Sequence, residues 1–251
     1  MSQETNRAID AVLCDMDDTV LIHRPYADVL WLEVVETFPS KLSHDERLRL
    51  SGAIVGQRHE FWSNPEVASW GRLEMTAARK YFVTKALQDV SIKFTDFDVD
   101  ELVAEFSRRR EESVTLPDAN QRALLELKAR GVLLALVTNG QGDAQRDKVN
   151  RFGLDSIFDT IIIEGEIGFG KPDWEVYRRA LINLDVIAER AVMVGDNWEW
   201  EVVAPCRYAL KALWVQTLDQ SLPTPIPEGF IGQIESFSEV PSVLKGTFLP
   251  A

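Results

Sequence analysis

Cysteine is scarce in this sequence, with only Cys14 and Cys206 among 251 residues. Because the two lie far apart in the chain, they indicate neither a disulfide framework nor a cysteine metal site. Long apolar runs are missing too, and none approaches the length of a transmembrane helix. Residues 1–7 are polar and contain no apolar segment of the kind found in a signal peptide. We therefore expect no membrane partner and a cytoplasmic location.

Positive charge is also in short supply. The chain has 27 lysines and arginines against 40 aspartates and glutamates, which gives a net charge of −13. Binding to duplex nucleic acid depends on clustered basic residues, so we expect no nucleic-acid partner. A small phosphorylated ligand is compatible with this balance, because one metal ion and one lysine supply enough local positive charge. The sequence does not indicate an oligomeric state.

The hydrophobic pattern predicts two parts of different character. From Pro117 onwards apolar strands alternate with amphipathic helices, which predicts a Rossmann-like α/β fold, a doubly wound parallel sheet with helices on both faces. Residues 9–14 predict the first strand of that sheet. The stretch from about Pro25 to Glu112 has only helical spacing. We therefore expect a core formed by residues 1–22 and 114–251, with residues 23–113 inserted as a helical subdomain.

Some elements of the second half are predicted in more detail. Pro172 predicts the first turn of a helix that runs to about Leu184. The segment 165–170 predicts a glycine-rich loop. A further helix is predicted over 199–210, although Pro205 lies within it.

The sequence around the end of the first strand is strongly acidic, with Asp15, Asp17 and Asp18 directly after an apolar run. Alternation along an extended chain puts Asp15 and Asp17 on the same side, where their carboxylates repel unless a cation or a shared proton offsets the charge. A calcium loop is excluded, because Val20 and Tyr26 stand where glycine and glutamate are required. An acidic surface turn and a magnesium-assisted phosphoryl-transfer site both remain open.

Polar residues also follow later strands of the predicted sheet. Thr138 and Asn139 follow the strand at 132–137, Lys171 follows the glycine-rich loop, and Asp196 follows the strand at 191–194. In a parallel α/β sheet the carboxyl ends of the strands meet at one edge, where ligands bind. Each residue alone is a weak signal, but their order after successive strands predicts a site at that edge.

With these motifs the chain resembles the haloacid dehalogenase-like (HAD) hydrolase superfamily, in its phosphatase branch. The resemblance covers residues 9–216 in order, and the helical insert stands where that family has its type-one cap. The residues that match the four family motifs are Asp15, Asp17 and Thr19, then Thr138, then Lys171, then Gly195, Asp196 and Glu201.

The resemblance implies a magnesium-dependent phosphatase. It would hydrolyse a small phosphomonoester, such as a sugar phosphate or a nucleoside monophosphate, through an aspartyl-phosphate intermediate. Asp15 would be the nucleophile, and Asp17 would be the general acid and then the general base. Thr138, the Asn139 amide and Lys171 would bind the phosphoryl group.

The metal site implied by the resemblance consists of oxygen ligands. Mg²⁺ would be held by the carboxylates of Asp15 and Asp196 and by the backbone carbonyl of Asp17. Glu201 departs from the family pattern, which more often has aspartate there, so it would either reach the metal through water or fix Lys171 in place. Asp18 stands where many relatives have glycine, and we expect it to face solvent.

Three alternatives to a phosphatase remain. A dehalogenase of the same fold would need neither the second acid, Asp17, nor a metal. A phosphomutase would keep the same site and pass the phosphoryl group to a second substrate. A binding protein without activity would keep only the fold. Among the remaining residues, we expect Cys14 in the core and His23, His44 and His59 at the surface, since the histidines fit no metal-ligand spacing.

Overall fold

The computed structural model describes residues 9–93, 98–216 and 221–245. Six of the described strands form one parallel sheet with the order β5-β4-β1-β6-β7-β8, and β2 pairs with β3. The strands are β1 (Ala11–Cys14), β2 (Ile22–His23), β3 (Val114–Thr115), β4 (Leu133–Thr138), β5 (Thr160–Ile163), β6 (Ala191–Gly195), β7 (Lys211–Val215) and β8 (Phe230–Ile234).

The helices of the described residues lie mostly between these strands. A π-helix, Trp198–Val203, leads directly into a short α-helix. The α-helices are α1 (Ala27–Thr37), α2 (His44–Ser63), α3 (Pro65–Leu73), α4 (Met75–Asp89), α5 (Val99–Glu112), α6 (Asp118–Ala129), α7 (Gly142–Arg151), α8 (Glu164–Ile167), α9 (Trp174–Leu184), α10 (Ala204–Cys206) and α11 (Val240–Leu244).

Strand β1 lies in the middle of the sheet and is covered on both faces. All four of its side chains are fully buried. Ala11 and Leu13 pack in a cluster with apolar residues of α9, while the alternation of a strand turns Val12 and Cys14 to the opposite face. A strand that is apolar on both sides needs helices on both sides, which is typical of parallel sheets. The α/β fold predicted from the sequence is therefore confirmed.

The register of the sheet aligns the carboxyl ends of its central strands. Cys14, the last residue of β1, lies opposite Leu136 in β4 and Val194 in β6. The next residue continues this alignment, since the Asp15 backbone N–H donates to the Val194 carbonyl at 2.9 Å. The turns after β1, β4 and β6 are thereby brought to the same edge of the sheet.

The described chain divides into two compact units. One contains the residues up to Ile22 and from Leu116 onwards, and the other is His23–Thr115. The second unit contains α1 to α5 and packs around aromatic side chains. Trp31 stacks on Phe106, with ring centroids 3.7 Å apart, and meets Phe82 edge-on at 5.8 Å. No helix among the described residues is both long enough and apolar enough to cross a membrane.

Three local predictions were wrong. Pro172 precedes helix α9, which begins at Trp174 after an Asp173 cap, whose side chain accepts from the Glu175 N–H. The predicted glycine-rich loop begins instead as the short helix α8, which ends where Gly168 has a φ of 84°. The helix predicted over 199–210 is a π-helix followed by a single α-helical turn, and it ends at Cys206.

Candidate active site

The nucleophile predicted from the sequence, Asp15, is the first residue after the central strand. It is 7% exposed, and its backbone stays in register with β6. The Lys171 ammonium donates to Asp15 Oδ1 at 2.5 Å. Burial raises the pKa of Asp15, the charge of Lys171 works in the opposite direction, and the nearby Asp17 raises it further. The cation beside Asp15 therefore stabilises the ionised form of its carboxyl against the effects of burial and of Asp17.

Lys171 joins two carboxylates inside the protein. Its Nζ lies 2.8 Å from Glu201 Oε1 in addition to its contact with Asp15, and both Lys171 and Glu201 are 1% exposed. Burial opposes the charge on Lys171, but the two carboxylates outweigh it and raise the pKa of the ammonium. Lys171 is therefore a fixed positive charge at the end of β1. Of the two roles considered for Glu201, this geometry favours fixing Lys171.

The backbone of Lys171 is held by the side chain of Asn139. Asn139 Nδ2 donates to the Lys171 carbonyl at 2.7 Å, and the Lys171 N–H donates to Asn139 Oδ1 at 2.8 Å. Asn139, in the turn after β4, thus fixes the position of Lys171, which belongs to a different segment of the chain. Gly170 permits this approach, because a Cβ there would lie 2.5 Å from Asn139 Oδ1. The side-chain amide of Asn139 is used for positioning, so a phosphoryl contact predicted for Asn139 falls to its backbone N–H.

Glu201 reaches Lys171 because of the turn that follows β6. The Asn197 backbone N–H donates to Glu201 Oε2 at 2.6 Å. Glu201 belongs to the π-helix Trp198–Val203, and its side chain packs against Gly195 at the end of β6. A Cβ on Gly195 would lie 2.1 Å from Glu201 Cγ, so only glycine fits there. Burial, partly offset by the charge of Lys171, raises the pKa of Glu201 to about 7.

Asp17, the predicted general acid, is held by two residues of helix α7. Lys148 Nζ lies 2.8 and 2.9 Å from the two carboxylate oxygens of Asp17, and Gln145 Nε2 lies 2.9 Å from one of them. The same Gln145 nitrogen lies 2.6 Å from Thr138 Oγ1 at the end of β4. Gln145 and Lys148 are themselves joined at 2.9 Å. Helix α7 therefore ties the second acid to the predicted phosphoryl-binding threonine.

Asp196, a predicted metal ligand, follows β6 and lies among other acids. Burial raises its pKa well above the usual range, and the charges of Asp15, Glu201 and Asp18 add to the effect, while Lys171 opposes it. This cluster holds more negative charge than Lys171 offsets, so an additional cation fits the chemistry of Asp15 and Asp196. Within the described ranges no three His, Cys, Asp or Glu side chains converge as metal ligands. A metal here would consequently depend on two carboxylates together with a backbone carbonyl, as the resemblance implies.

The loop that follows Asp15 and Asp17 adopts a conformation that explains one departure from the family pattern. Asp18 has a φ of 57°, a left-handed conformation that glycine adopts without strain and aspartate tolerates better than most residues. Asn120 on α6 donates to the carbonyls of Thr19 and Val20 at 3.2 and 3.0 Å. The loop is thus fixed by a helix from another part of the chain.

The sequence did not identify every residue of this constellation. Gln145 and Lys148 were missed, although both are buried polar residues spaced three apart on the helix that follows Thr138 and Asn139. That spacing, which puts both on one helix face, was the available signal. The expectation for His23 was wrong, since its side chain is 3% exposed. Cys14 is fully buried as expected, and burial raises its thiol pKa.

Comparison with known proteins supports the same fold. A structure of YfnB from Bacillus subtilis bound to magnesium aligns with a TM-score of 0.69 and 21% identity, covering 95% of this chain and 100% of that one. The 2-haloacid dehalogenase of Pseudomonas syringae pv. Tomato aligns with a TM-score of 0.57 and 24% identity, covering 94% and 98%. At these identities the two structures show that the fold is shared.

Sequence comparison covers less of the chain but at higher identity. The phosphoserine phosphatase of Thermus thermophilus is 41% identical over 115 residues, which are 46% of this chain and 46% of that protein. The chain therefore spans about half the length of the curated relatives that it matches. A family model described as haloacid dehalogenase-like hydrolase matches residues 9–204, a range that includes every site residue discussed above. The chain belongs to the haloacid dehalogenase-like hydrolase family.

Proposed function

We propose that the protein is a magnesium-dependent phosphatase that hydrolyses a small phosphomonoester through an aspartyl-phosphate on Asp15. The observation that carries this proposal is the position of Asp17, whose carboxylate is held by Lys148 and linked through Gln145 to Thr138. A phosphatase needs such a second acid beside the nucleophile, because the leaving alkoxide takes up a proton. A dehalogenase of this fold does not need one. The match to a phosphoserine phosphatase supports the same choice.

The first half of the reaction assigns a task to each residue. Asp15 attacks phosphorus, the bond from phosphorus to the leaving oxygen breaks, and Asp17 transfers its proton to that oxygen. Lys171 stays beside Asp15 and reduces the repulsion between the carboxylate and the phosphate. Thr138 and the Asn139 backbone N–H bind a phosphoryl oxygen.

In the second half Asp17 acts as a base. It accepts a proton from a water molecule, whose oxygen attacks phosphorus and releases Asp15 and inorganic phosphate. Glu201 and Asn139 keep Lys171 in place throughout. Asp15, Asp196 and the Asp17 backbone carbonyl would hold Mg²⁺, which would supply positive charge that offsets the repulsion between the anionic reactants.

The test is phosphate release from p-nitrophenyl phosphate and from a panel of small phosphate esters, with Mg²⁺ or with a chelator. We expect activity only with Mg²⁺, and none in Asp15→Asn. Asp17→Asn should accumulate a phosphorylated protein whose added mass maps to Asp15 by peptide mass spectrometry. Unchanged activity in Asp15→Asn would contradict the proposal. Transfer of phosphate to a second ester instead of water would indicate a phosphomutase, and halide release without Mg²⁺ a dehalogenase.

A further inference from the structure

The peptide unit between Asp196 and Asn197 is held at both of its polar groups by side chains. On one side, the indole Nε1–H of Trp214 donates to the Asp196 carbonyl at 2.8 Å. On the other side, the Asn197 N–H donates to Glu201 Oε2 at 2.6 Å. Because a peptide unit is planar and its C=O and N–H point in opposite directions, the two hydrogen bonds together fix the orientation of this plane.

The sheet brings Trp214 to the position from which it makes this bond. Trp214 lies on β7 directly opposite Gly195, the last residue of β6, and so stands beside the residue that precedes Asp196. Its side chain is buried, and its ring meets Trp198 edge-on with ring centroids 5.0 Å apart. Trp198 in turn packs edge-on against Phe230 of β8 at 5.3 Å. The indole therefore has little freedom to leave the Asp196 carbonyl.

The backbone of Asp196 is thereby restrained on both sides of its Cα. Before it, Gly195 stays in the register of β6 with β7, and after it the peptide plane is fixed. The register of β1 with β6 places Asp15 after the neighbouring strand. Carboxylates that follow neighbouring strands repel each other, so a backbone free to turn would carry Asp196 away from Asp15 when no cation is bound.

We propose that Trp214 is a positioning residue for the metal site, which holds the Asp196 carboxylate in place for Mg²⁺ by fixing the Asp196 peptide. This role rests on the proposed function, since Asp196 is a metal ligand only under that proposal. A ligand that is already in position loses less freedom when the ion binds, and the affinity is higher for that reason. Trp214 acts on the ion only through Asp196, so its loss should weaken metal binding.

The test is the dissociation constant of Mg²⁺, measured by isothermal titration calorimetry on the full-length protein without substrate. Trp214→Phe keeps an aromatic ring and removes the N–H donor. We expect it to raise the dissociation constant about five- to tenfold, the net contribution of one hydrogen bond. The matched control is Trp174→Phe on α9, whose ring stacks on Tyr208 with centroids 4.2 Å apart. It should leave the dissociation constant unchanged.

A second variant separates the hydrogen bond from the packing of the ring. Benzothienylalanine incorporated at position 214 has the same bicyclic shape as tryptophan, with sulfur in place of the N–H. We expect it to weaken Mg²⁺ binding as much as Trp214→Phe does, and it decides the question alone if the phenylalanine variant does not fold. A buried indole N–H also needs an acceptor for stability. A purely structural role would lower the free energy of unfolding in urea and leave the Mg²⁺ dissociation constant of both variants unchanged, which would overturn the proposal.

The indole signals in ¹H–¹⁵N NMR spectra give a direct view of the bond. The Trp214 Nε1–H signal is assigned from its loss in Trp214→Phe. Because its acceptor belongs to the proposed metal ligand, we expect this signal to shift with Mg²⁺ and to saturate at the concentration found by calorimetry. The Trp174 signal should stay in place. A Trp214 signal that does not move while Mg²⁺ binds would overturn the role assigned to Trp214.

Asp196→Asn distinguishes a failure of this role from a failure of the proposed function. If Asp196→Asn abolishes Mg²⁺ binding while both variants at position 214 bind as tightly as the unmodified protein, the role of Trp214 is wrong and the phosphatase proposal stands. If Mg²⁺ binding depends on both residues but no phosphate ester is hydrolysed, the proposed function is wrong and the role of Trp214 stands. A protein that binds no Mg²⁺ would contradict both.

Discussion

Lys148 holds Asp17 through both carboxylate oxygens, which makes it a positioning residue for the proposed general acid. Replacing it with methionine keeps the length of the side chain and removes the charge. We expect Lys148→Met to lower kcat about 10²-fold with little change in KM, because the acid loses its fixed position while the phosphoryl-binding residues stay in place. The measurement is steady-state hydrolysis of p-nitrophenyl phosphate with saturating Mg²⁺.

Two further variants control for this experiment. Lys148→Arg keeps the positive charge and should recover part of kcat. Lys128→Met removes a lysine of the same unit that donates to the Ile157 carbonyl at 2.6 Å, away from Asp17, and should keep full activity. A kcat for Lys148→Met within twofold of that of the unmodified protein would show that Asp17 does not depend on Lys148.

Asp18 offers a test of backbone conformation close to the nucleophile. Its φ of 57° costs a residue with an ordinary Cβ about 1 kcal/mol more than it costs glycine. We expect Asp18→Gly and Asp18→Asn to keep or raise the free energy of unfolding in urea, and Asp18→Ala to lower it by about 1 kcal/mol. Equal stability of the alanine and glycine variants would mean that the loop relaxes to another conformation.

At the level of single residues, the site residues at family motif positions were predicted from the sequence, and those outside the motifs were missed. Asp15 and Lys171 are 156 positions apart, yet both stand at motif positions, and their side chains meet. Gln145 and Lys148 belong to none of the four family motifs. Their contacts with Asp17 depend on the packing of α7 beside the loop after β1, which a single sequence does not reveal. For the same reason His23 was wrongly expected at the surface.

The side chain of Glu201 packs close to the end of β6 because Gly195, in the turn between β6 and the π-helix, has no side chain. A methyl group at position 195 would lie 2.1 Å from Glu201 Cγ, so the glutamate would have to leave Lys171. We expect Gly195→Ala to lower the free energy of unfolding by about 1–3 kcal/mol, the usual cost of overpacking, and to reduce phosphatase activity. Urea unfolding and the p-nitrophenyl phosphate assay measure the two effects.

A double-mutant cycle tests whether the collision with Glu201 causes the loss of stability in Gly195→Ala. Adding Glu201→Ala to Gly195→Ala removes Cγ and Cδ, which would lie 2.1 and 2.8 Å from the new methyl group, and keeps only Cβ at 2.8 Å. The loss of stability in the double variant should therefore be smaller than the sum of the two single losses. Gly52→Ala in α2 is the control, because a Cβ there meets nothing within 4 Å and alanine favours a helix. Additive losses would place the cost of Gly195→Ala somewhere other than Glu201.

Elements were predicted best where the hydrophobic pattern was long and regular. The strands β4 and β6 lie within one residue of their predicted positions, because each is a continuous apolar run. The predicted helix boundaries were wrong where a capping residue or a local change of helix type set the observed ones. Pro172 was expected in the first turn of α9, but Asp173 caps that helix and its first residue is Trp174. The segment 198–206 begins as a π-helix. Hydrophobic periodicity does not distinguish a π-helix from an α-helix over so few residues.

Considered as a whole, the chain concentrates acidic groups where its central strands end. Burial raises the pKa of Asp196 and Asp15, and it raises that of Glu201 to about 7. A carboxyl whose folded pKa exceeds its unfolded pKa favours folding at low pH, and that contribution disappears as the pH rises through the folded value. For Glu201 the window runs from 4.5 to about 7. The metal-free protein is therefore expected to become less stable across this range.

Magnesium should reverse this trend, because an ion that binds only the folded state raises the free energy of unfolding by mass action. We expect the unfolding free energy in a chelator to fall from pH 5 to pH 7 by about 1 kcal/mol or more, since each unit of pKa shift corresponds to about 1.4 kcal/mol. Added Mg²⁺ should restore the loss at pH 7.

Asp196→Asn should be more stable than the unmodified protein in chelator at pH 7 and should respond little to Mg²⁺, because it lacks both the repelling charge and the ligand. The matched control is Asp147→Asn, which removes an exposed carboxylate from α7 and should keep the full response. Urea unfolding at each pH, with and without Mg²⁺, gives the comparison. An equal magnesium response in Asp196→Asn and Asp147→Asn would remove Asp196 from the proposed metal site.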